Sequence, residues 1–471
     1  MEGSFLITLE DVELKEGIIA AKKKAAVLAK PILVSHVRKI DWIDPGFFFC
    51  AGMKKFKGER FFWKDAAGDM TLAGLGICQK IVSEETKNRF IQIEKEWKRF
   101  TKDAVLLSST KMTATGPVLF GGFSFDPLKR STPLWRNFPS ALFHVPTYMV
   151  TSAGGESYFT TNIICEENTD LTFVNKLMEE RQAIFYQKLP KSQTRLTIEC
   201  KAEINPLAWK GAVKEIVKQL HTSTSLKKVV LARELRVQLG QAVQTEAVLS
   251  QLLKQQSESF IFAFEEEGDC FIGASPERLV KKTGELVYSD SLAGSIGRSK
   301  DKEEDTRLSE ILRRDEKNLI EHQYVAEAII SALKEVCSEV NVSRLQLKKM
   351  RDITHLHTPI TGRMERTHPL LSLVERLHPT PALGGYPKNK AMEKIRELEQ
   401  MDRGFYASPI GWLDAANNGE FAVAIRSSLI QGKEASLFAG CGIVRDSDAD
   451  REYEETKLKF LPILSAFGGE E

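Results

Sequence analysis

Near the C-terminus, Glu452, Glu455 and Lys459 recur at spacings of three and four, so on a helix they share a face roughly 60° wide. Two carboxylates one turn apart can offer oxygen ligands to a hard cation, with a lysine one turn further on to meet an anionic substrate. The same spacing also makes a solvated face carrying a Glu-to-Lys ion pair worth about 0.3–0.5 kcal/mol. Geometry alone does not choose between them. Leu458, Leu461 and Leu464 fall on the other side of that helix and are expected to face the core. Glu321 sits mid-helix beside His322, in Lys317-Asn318-Leu319-Ile320-Glu321-His322. Glu277, in Gly273-Ala274-Ser275-Pro276-Glu277-Arg278-Leu279, follows a strand and a turn-forming proline; it is either a turn residue paired with Arg278 or a further functional carboxylate. Lys228 opens the β-branched run Lys228-Val229-Val230-Leu231-Ala232-Arg233. It is either an edge charge or, if buried, an amine whose proton affinity desolvation lowers enough for base chemistry. Arg426 lies inside the apolar strand Ala424-Ile425-Arg426-Ser427-Ser428, and a buried arginine needs an anion, from the protein or from a substrate.

The elements that must position these groups are legible in the second half of the chain. Ile204-Asn205-Pro206 is a turn signal, because proline disfavours helix in the residue before it. It suggests a division into residues 1–205 and 206–471. After it the pattern predicts a helix over Leu207–Leu220, a strand over Lys228–Val237, a helix over Thr245–Gln256, and strands over Phe260–Glu265, Cys270–Gly273 and Leu286–Ser289. A long helix over Lys302–Val336, strands over Phe421–Leu429 and Ser436–Phe438, and a last helix over Asp450–Phe467 complete it. The first 200 residues show shorter β-like runs (Ser4–Leu9, Ala104–Leu107, Ala141–Val150) and a helical charge pattern over Glu85–Phe100. Strands come in runs rather than alternating with helices, so an α+β fold with large antiparallel sheets flanked by helices is expected.

Composition excludes several function classes. Lys and Arg total 66 against 64 Asp and Glu, a net charge of +2, which points to neither nucleic acid nor an anionic membrane as partner. Seven scattered cysteines include no C-x-x-C pair, so no zinc or thioredoxin-type motif is indicated, and an odd dispersed set fits a reducing cytosol. No basic, apolar leader and no apolar stretch of about 18 residues is visible, so a soluble cytoplasmic protein is expected. Nucleotide loops, metalloprotease helices and serine-hydrolase elbows are missing from the sequence.

Taken together, KVVLARE (228–234), GASPERL (273–279), LAGSIGR (292–298), EKNLIEH (316–322), LHPTPALGG (377–385), GFYASPIGW (404–412), FAVAIRSSLI (421–430), FAGCGIV (438–444) and EYEETKLK (452–459) resemble, in the same order, the chorismate-utilising family of anthranilate, aminodeoxychorismate, isochorismate and salicylate synthases. The resemblance is strong over about residues 205–465 and loose before them. It implies the large α+β fold of anthranilate synthase component I, a chorismate substrate and a Mg²⁺ cofactor. Carried over position by position, it makes Glu321 and Glu455 magnesium ligands, with Glu452 close by. Tyr406 and Arg426 match the pair that holds the enolpyruvyl carboxylate, and Lys459 with the amides around Gly294 and Gly442 supplies further carboxylate contacts. Ala293 stands where aminodeoxychorismate synthases typically carry a nucleophilic lysine, and Lys228 is a lysine that anthranilate synthases typically lack. Both positions point to the members that use water, with Lys228 as base and Glu277 as acid. Of these, LHPTPALGG and the long N-terminal region resemble isochorismate synthases of the longer menaquinone type more than salicylate synthases. A monomer without a glutaminase partner is the matching expectation. Gly297 departs from the proline many relatives carry before the arginine of the LAGS segment, which bears on the local loop.

Overall fold

A computed structural model describes residues 9–108, 110–187, 196–223 and 225–469. Among them, 21 strands join in one hydrogen-bonded network, and only the pairing of Ile32–Ile40 with Val105–Ser108 is parallel. The apolar runs seen in the sequence become strands buried on both faces. In Phe260–Glu266, Phe260, Phe262 and Phe264 enter one hydrophobic core while Ile261 and Ala263 enter a second. Successive side chains point to opposite faces, so a strand feeding two cores is apolar throughout rather than alternating.

The two halves of the chain interleave. Arg60–Lys64 pairs with Phe260–Glu266, Val118–Phe123 with Pro409–Asp414, and Ile198–Glu203 with Lys228–Leu239. The turn at 204–205 leads into a helix over Pro206–Thr222. The long strand Lys228–Leu239 pairs along its length with Glu434–Ile443, from Val229 opposite Ile443 to Gln238 opposite Glu434. The C-terminal helix, Ala449–Leu464, packs against that second strand.

Three expectations need correction, and a fourth falls almost wholly outside the described residues. The helix over 302–336 is two helices, Lys302–Arg314 and Glu316–Lys334, because Asp315 takes an extended backbone and caps the second by accepting from Asn318 N. The strand over 421–429 is also two, Gly419–Val423 and Ser427–Gln431. Arg426 breaks it with a left-handed φ of +51°, a conformation that costs a non-glycine residue energy and is kept where function needs it. Leu458 is 46% exposed rather than in the core; Tyr453, Thr456, Phe460 and Ile463 form the packed face. The strand expected over Ser4–Leu9 lies outside the described residues, apart from Leu9, which begins a helix.

Candidate active site

The strand Lys228–Leu239 starts at the wall of a cleft of about 140 Å³. Lys228 is fully buried just behind that wall, and its ammonium lies 2.6 Å from Glu321 Oε1. The edge-charge reading is thereby set aside. Opposite, the strand Asp269–Ser275 ends in Ser275-Pro276-Glu277, where Glu277 N donates to Ser275 Oγ and Val423 N donates to the Glu277 carbonyl. This turn puts the Glu277 carboxyl into the cleft lining, 3% exposed. Among the described residues nothing bonds or ion-pairs that carboxyl, so it is not paired with Arg278, which binds Glu420 and Asp290 instead. Burial pushes its pKa up to about 8, against the pull of Lys228, Lys348 and Arg426.

The break at Arg426 turns its guanidinium into the same cleft. It is 8% exposed and, among the described residues, donates only to the Lys459 carbonyl and has no carboxylate within ion-pairing distance. Burial lowers its pKa, with Tyr406 and Glu455 opposing. A desolvated arginine without a counter-ion is a receptor for an anion. Tyr406 stands close by, its ring 5.4 Å from Phe438 and its pKa raised by burial to about 12. Lys459 Nζ bridges Glu455 Oε1, at 2.6 Å, and the Gly440 carbonyl, at 3.0 Å.

Two backbone segments complete the cleft. Leu286–Gly297 loses register with Ile353–Arg363 between Leu292 and Ser295, and there Gly294 adopts φ +77°. That irregularity takes Ala293 and Gly294 out of the ladder register, and Ser295 N donates to Asn318 Oδ1 instead. Gly442 leaves the room that Lys228 and Glu321 fill: a Cβ there would lie 2.6 Å from Lys228 Cε and 3.0 Å from Glu321 Oε1.

The three acidic residues on the helices come to the site but are not clustered. Glu321 pairs with Lys228, Glu452 with Lys317 at 3.0 Å, and Glu455 with Lys459. Glu321 and Glu455 line the cleft while Glu452 sits behind it, 2% exposed. No three His, Cys, Asp or Glu side chains among the described residues converge as a metal-binding group. The donor chemistry nevertheless suits a hard divalent cation. All three groups are carboxylates, and among the described residues Oε2 of Glu452 is buried with no hydrogen-bond partner.

Sequence reading missed several cleft residues. Lys317 and Asn318 line it from the start of the helix that carries Glu321, and spacing from Glu321 could have found them. His355 lines it too, its pKa held well below the usual value by burial and by Arg426, Lys459 and Lys348. Arg403 ties the cleft's floor together by donating to the carbonyls of Leu383 and Val230 and pairing with Glu399; no spacing rule reveals that.

Comparison with known proteins agrees with this geometry. A family model described as "Chorismate binding enzyme" matches residues 20–468. The chain is 41% identical over 99% of its length to all of the isochorismate synthase MenF of Bacillus subtilis. It is 33% identical, over 95% of its length and 93% of the relative's, to the salicylate biosynthesis isochorismate synthase of Pseudomonas aeruginosa. Its fold matches the menaquinone-specific isochorismate synthase MenF of Escherichia coli with a TM-score of 0.78 at 21% identity, covering 96% of this chain and 100% of that one. Anthranilate synthase component I of Streptococcus pneumoniae shares the fold at a TM-score of 0.63 and 22% identity, over 76% and 82% of the two chains. With its α+β body, its anion-seeking cleft and a family match spanning nearly its whole length, the chain belongs to the chorismate binding enzyme family.

Proposed function

We propose that this chain is an isochorismate synthase that uses magnesium, adding water at ring C2 of chorismate and expelling the C4 hydroxyl. The observation that carries the reading is a buried lysine just behind the wall of one small cleft, Lys228, and a buried carboxyl in its lining, Glu277, unpaired among the described residues, beside Arg426, which has no ion pair among them. A relative bearing that name and alignable from end to end supports it.

Arg426, Tyr406 and Lys459 hold the carboxylates of the substrate dianion, assisted by the amides near Gly294 and Gly442. Once its ammonium has given up a proton to solvent, the Lys228 amine removes a proton from the attacking water as the new C2–O bond forms. Glu277, protonated at neutral pH because its pKa is about 8, donates to the C4 oxygen as that C–O bond breaks, releasing water. Each role is worth about 10²–10⁴-fold. Solvent exchange then returns a proton from Lys228 to Glu277. Glu321 and Glu455, with Glu452 behind them, would hold the magnesium ion, which supplies charge stabilisation to the ring carboxylate. A cation held there would compete with Lys228 for Glu321. The enzyme works as a cytoplasmic monomer without a glutaminase subunit, in menaquinone synthesis.

The test is incubation of purified protein with chorismate and Mg²⁺, followed by separation of products. Isochorismate without pyruvate is the expected result. Stoichiometric pyruvate with fluorescent salicylate would make it a salicylate synthase, and turnover only with ammonium would make it an anthranilate synthase component.

A further inference from the structure

The Glu277 turn is held from outside the cleft. Lys348, on the short strand Gln346–Lys349, is the ladder partner of His355, and His355 is in turn the partner of Ser295. Directly paired residues project to the same face of a sheet. Ser295 and His355 line the cleft, so Lys348 rises on the cleft's side of the sheet. Its ammonium donates to the Pro276 carbonyl at 2.8 Å, one residue before Glu277.

Charged groups face Glu277 from four elements: Lys228 from its strand, Asp290 from Leu286–Gly297, Lys348, and Arg426 from the strand break. Lys228 is neutralised by Glu321. Asp290 is occupied by Arg278, at 3.2 Å, and by His357, at 3.1 Å. Arg426 is reserved for the substrate anion. Among the described residues Lys348 has no ion pair, so its charge acts on the turn it anchors.

We infer that Lys348 is a positioning residue: it fixes the Ser275–Glu277 turn through the Pro276 carbonyl, and its charge sets the pH range over which Glu277 serves as proton donor. This rests on the reading of Glu277 as the acid. An acid must be protonated to work, so activity falls as pH rises through its pKa. A nearby cation stabilises the carboxylate and lowers that pKa; removing the cation moves the loss to higher pH.

The test is the pH dependence of kcat for the wild type, Lys348→Met, Lys348→Gln, Lys348→Arg and Glu277→Gln. Gln keeps a donor for the Pro276 carbonyl but no charge, and Arg keeps both. The alkaline limb is expected to rise by roughly one pH unit in Met and Gln and to stay in place in Arg. Should Lys348→Met not fold, the Gln and Arg variants decide. An unmoved limb in Lys348→Gln, with Glu277→Gln inactive, overturns the role of Lys348 and leaves Glu277 as the acid. An active Glu277→Gln enzyme overturns both.

Discussion

Gly442→Ala adds a single methyl group where Lys228 and Glu321, the proposed base and the proposed metal ligand, meet. The new carbon would lie 2.6 Å from Lys228 Cε, 3.1 Å from Lys228 Nζ and 3.0 Å from Glu321 Oε1. Carbon atoms rest at about 3.5–4.0 Å, so the lysine side chain must retreat by about 1 Å. It cannot swing into solvent, because it is fully buried, and it cannot retreat without disturbing its ion pair with Glu321. A misplacement of about 1 Å at a reacting group costs on the order of 10²-fold, while a methyl forced against a side-chain terminus costs about 1–3 kcal/mol of stability. Chorismate turnover measured across a magnesium titration should therefore fall about 100-fold in a protein that still unfolds cooperatively. A folded Gly442→Ala enzyme within about threefold of wild-type kcat/KM would refute the placement of Lys228 and Glu321 at a common reaction centre.

Glu277→Gln should lower kcat by about 10²–10⁴-fold without a comparable rise in KM, as measured by initial rates at saturating chorismate. The same change should alter stability with pH: Glu277 titrates near 8 folded against about 4.5 ordinarily, so unfolding releases a proton between these values and wild-type stability drops as pH rises through that window. Urea melts at pH 5 and 9 should show Glu277→Gln free of that share of the loss, up to about 4 kcal/mol; parallel curves would count against the burial. Glu321→Gln should raise the magnesium concentration for calorimetric half-saturation at least about tenfold, and an unchanged titration would remove it from the metal site. Gly404→Ala places a Cβ 1.9 Å from Trp135 Cδ2 at φ +48°, and should cost about 2–4 kcal/mol, read as a lower denaturation midpoint.

Much of the local architecture was written in short-range pattern. The run at Lys228–Leu239 and the helix at Ala449–Leu464 declared themselves by β-branching and by periodicity, which depend only on neighbours in the chain. The family was legible too, because ordered motifs are a property of the linear string, and the family match over residues 20–468 agrees. Other features needed the third dimension. The 302–336 segment reads as one helix until Asp315 caps a second one, and the apolar stretch around Arg426 reads as one strand until a left-handed residue turns the guanidinium inward. Whether Lys228 was an edge charge or a buried amine, and whether Glu277 paired with its neighbour Arg278, could not be settled by spacing. Those outcomes depend on Glu321 meeting Lys228 and on Glu420 and Asp290 capturing Arg278. Hydrophobic periodicity is local, so the chain determined its elements; desolvation and charge pairing act between residues far apart in sequence, so only the assembled fold decided which of its charges stayed unpaired and available for chemistry.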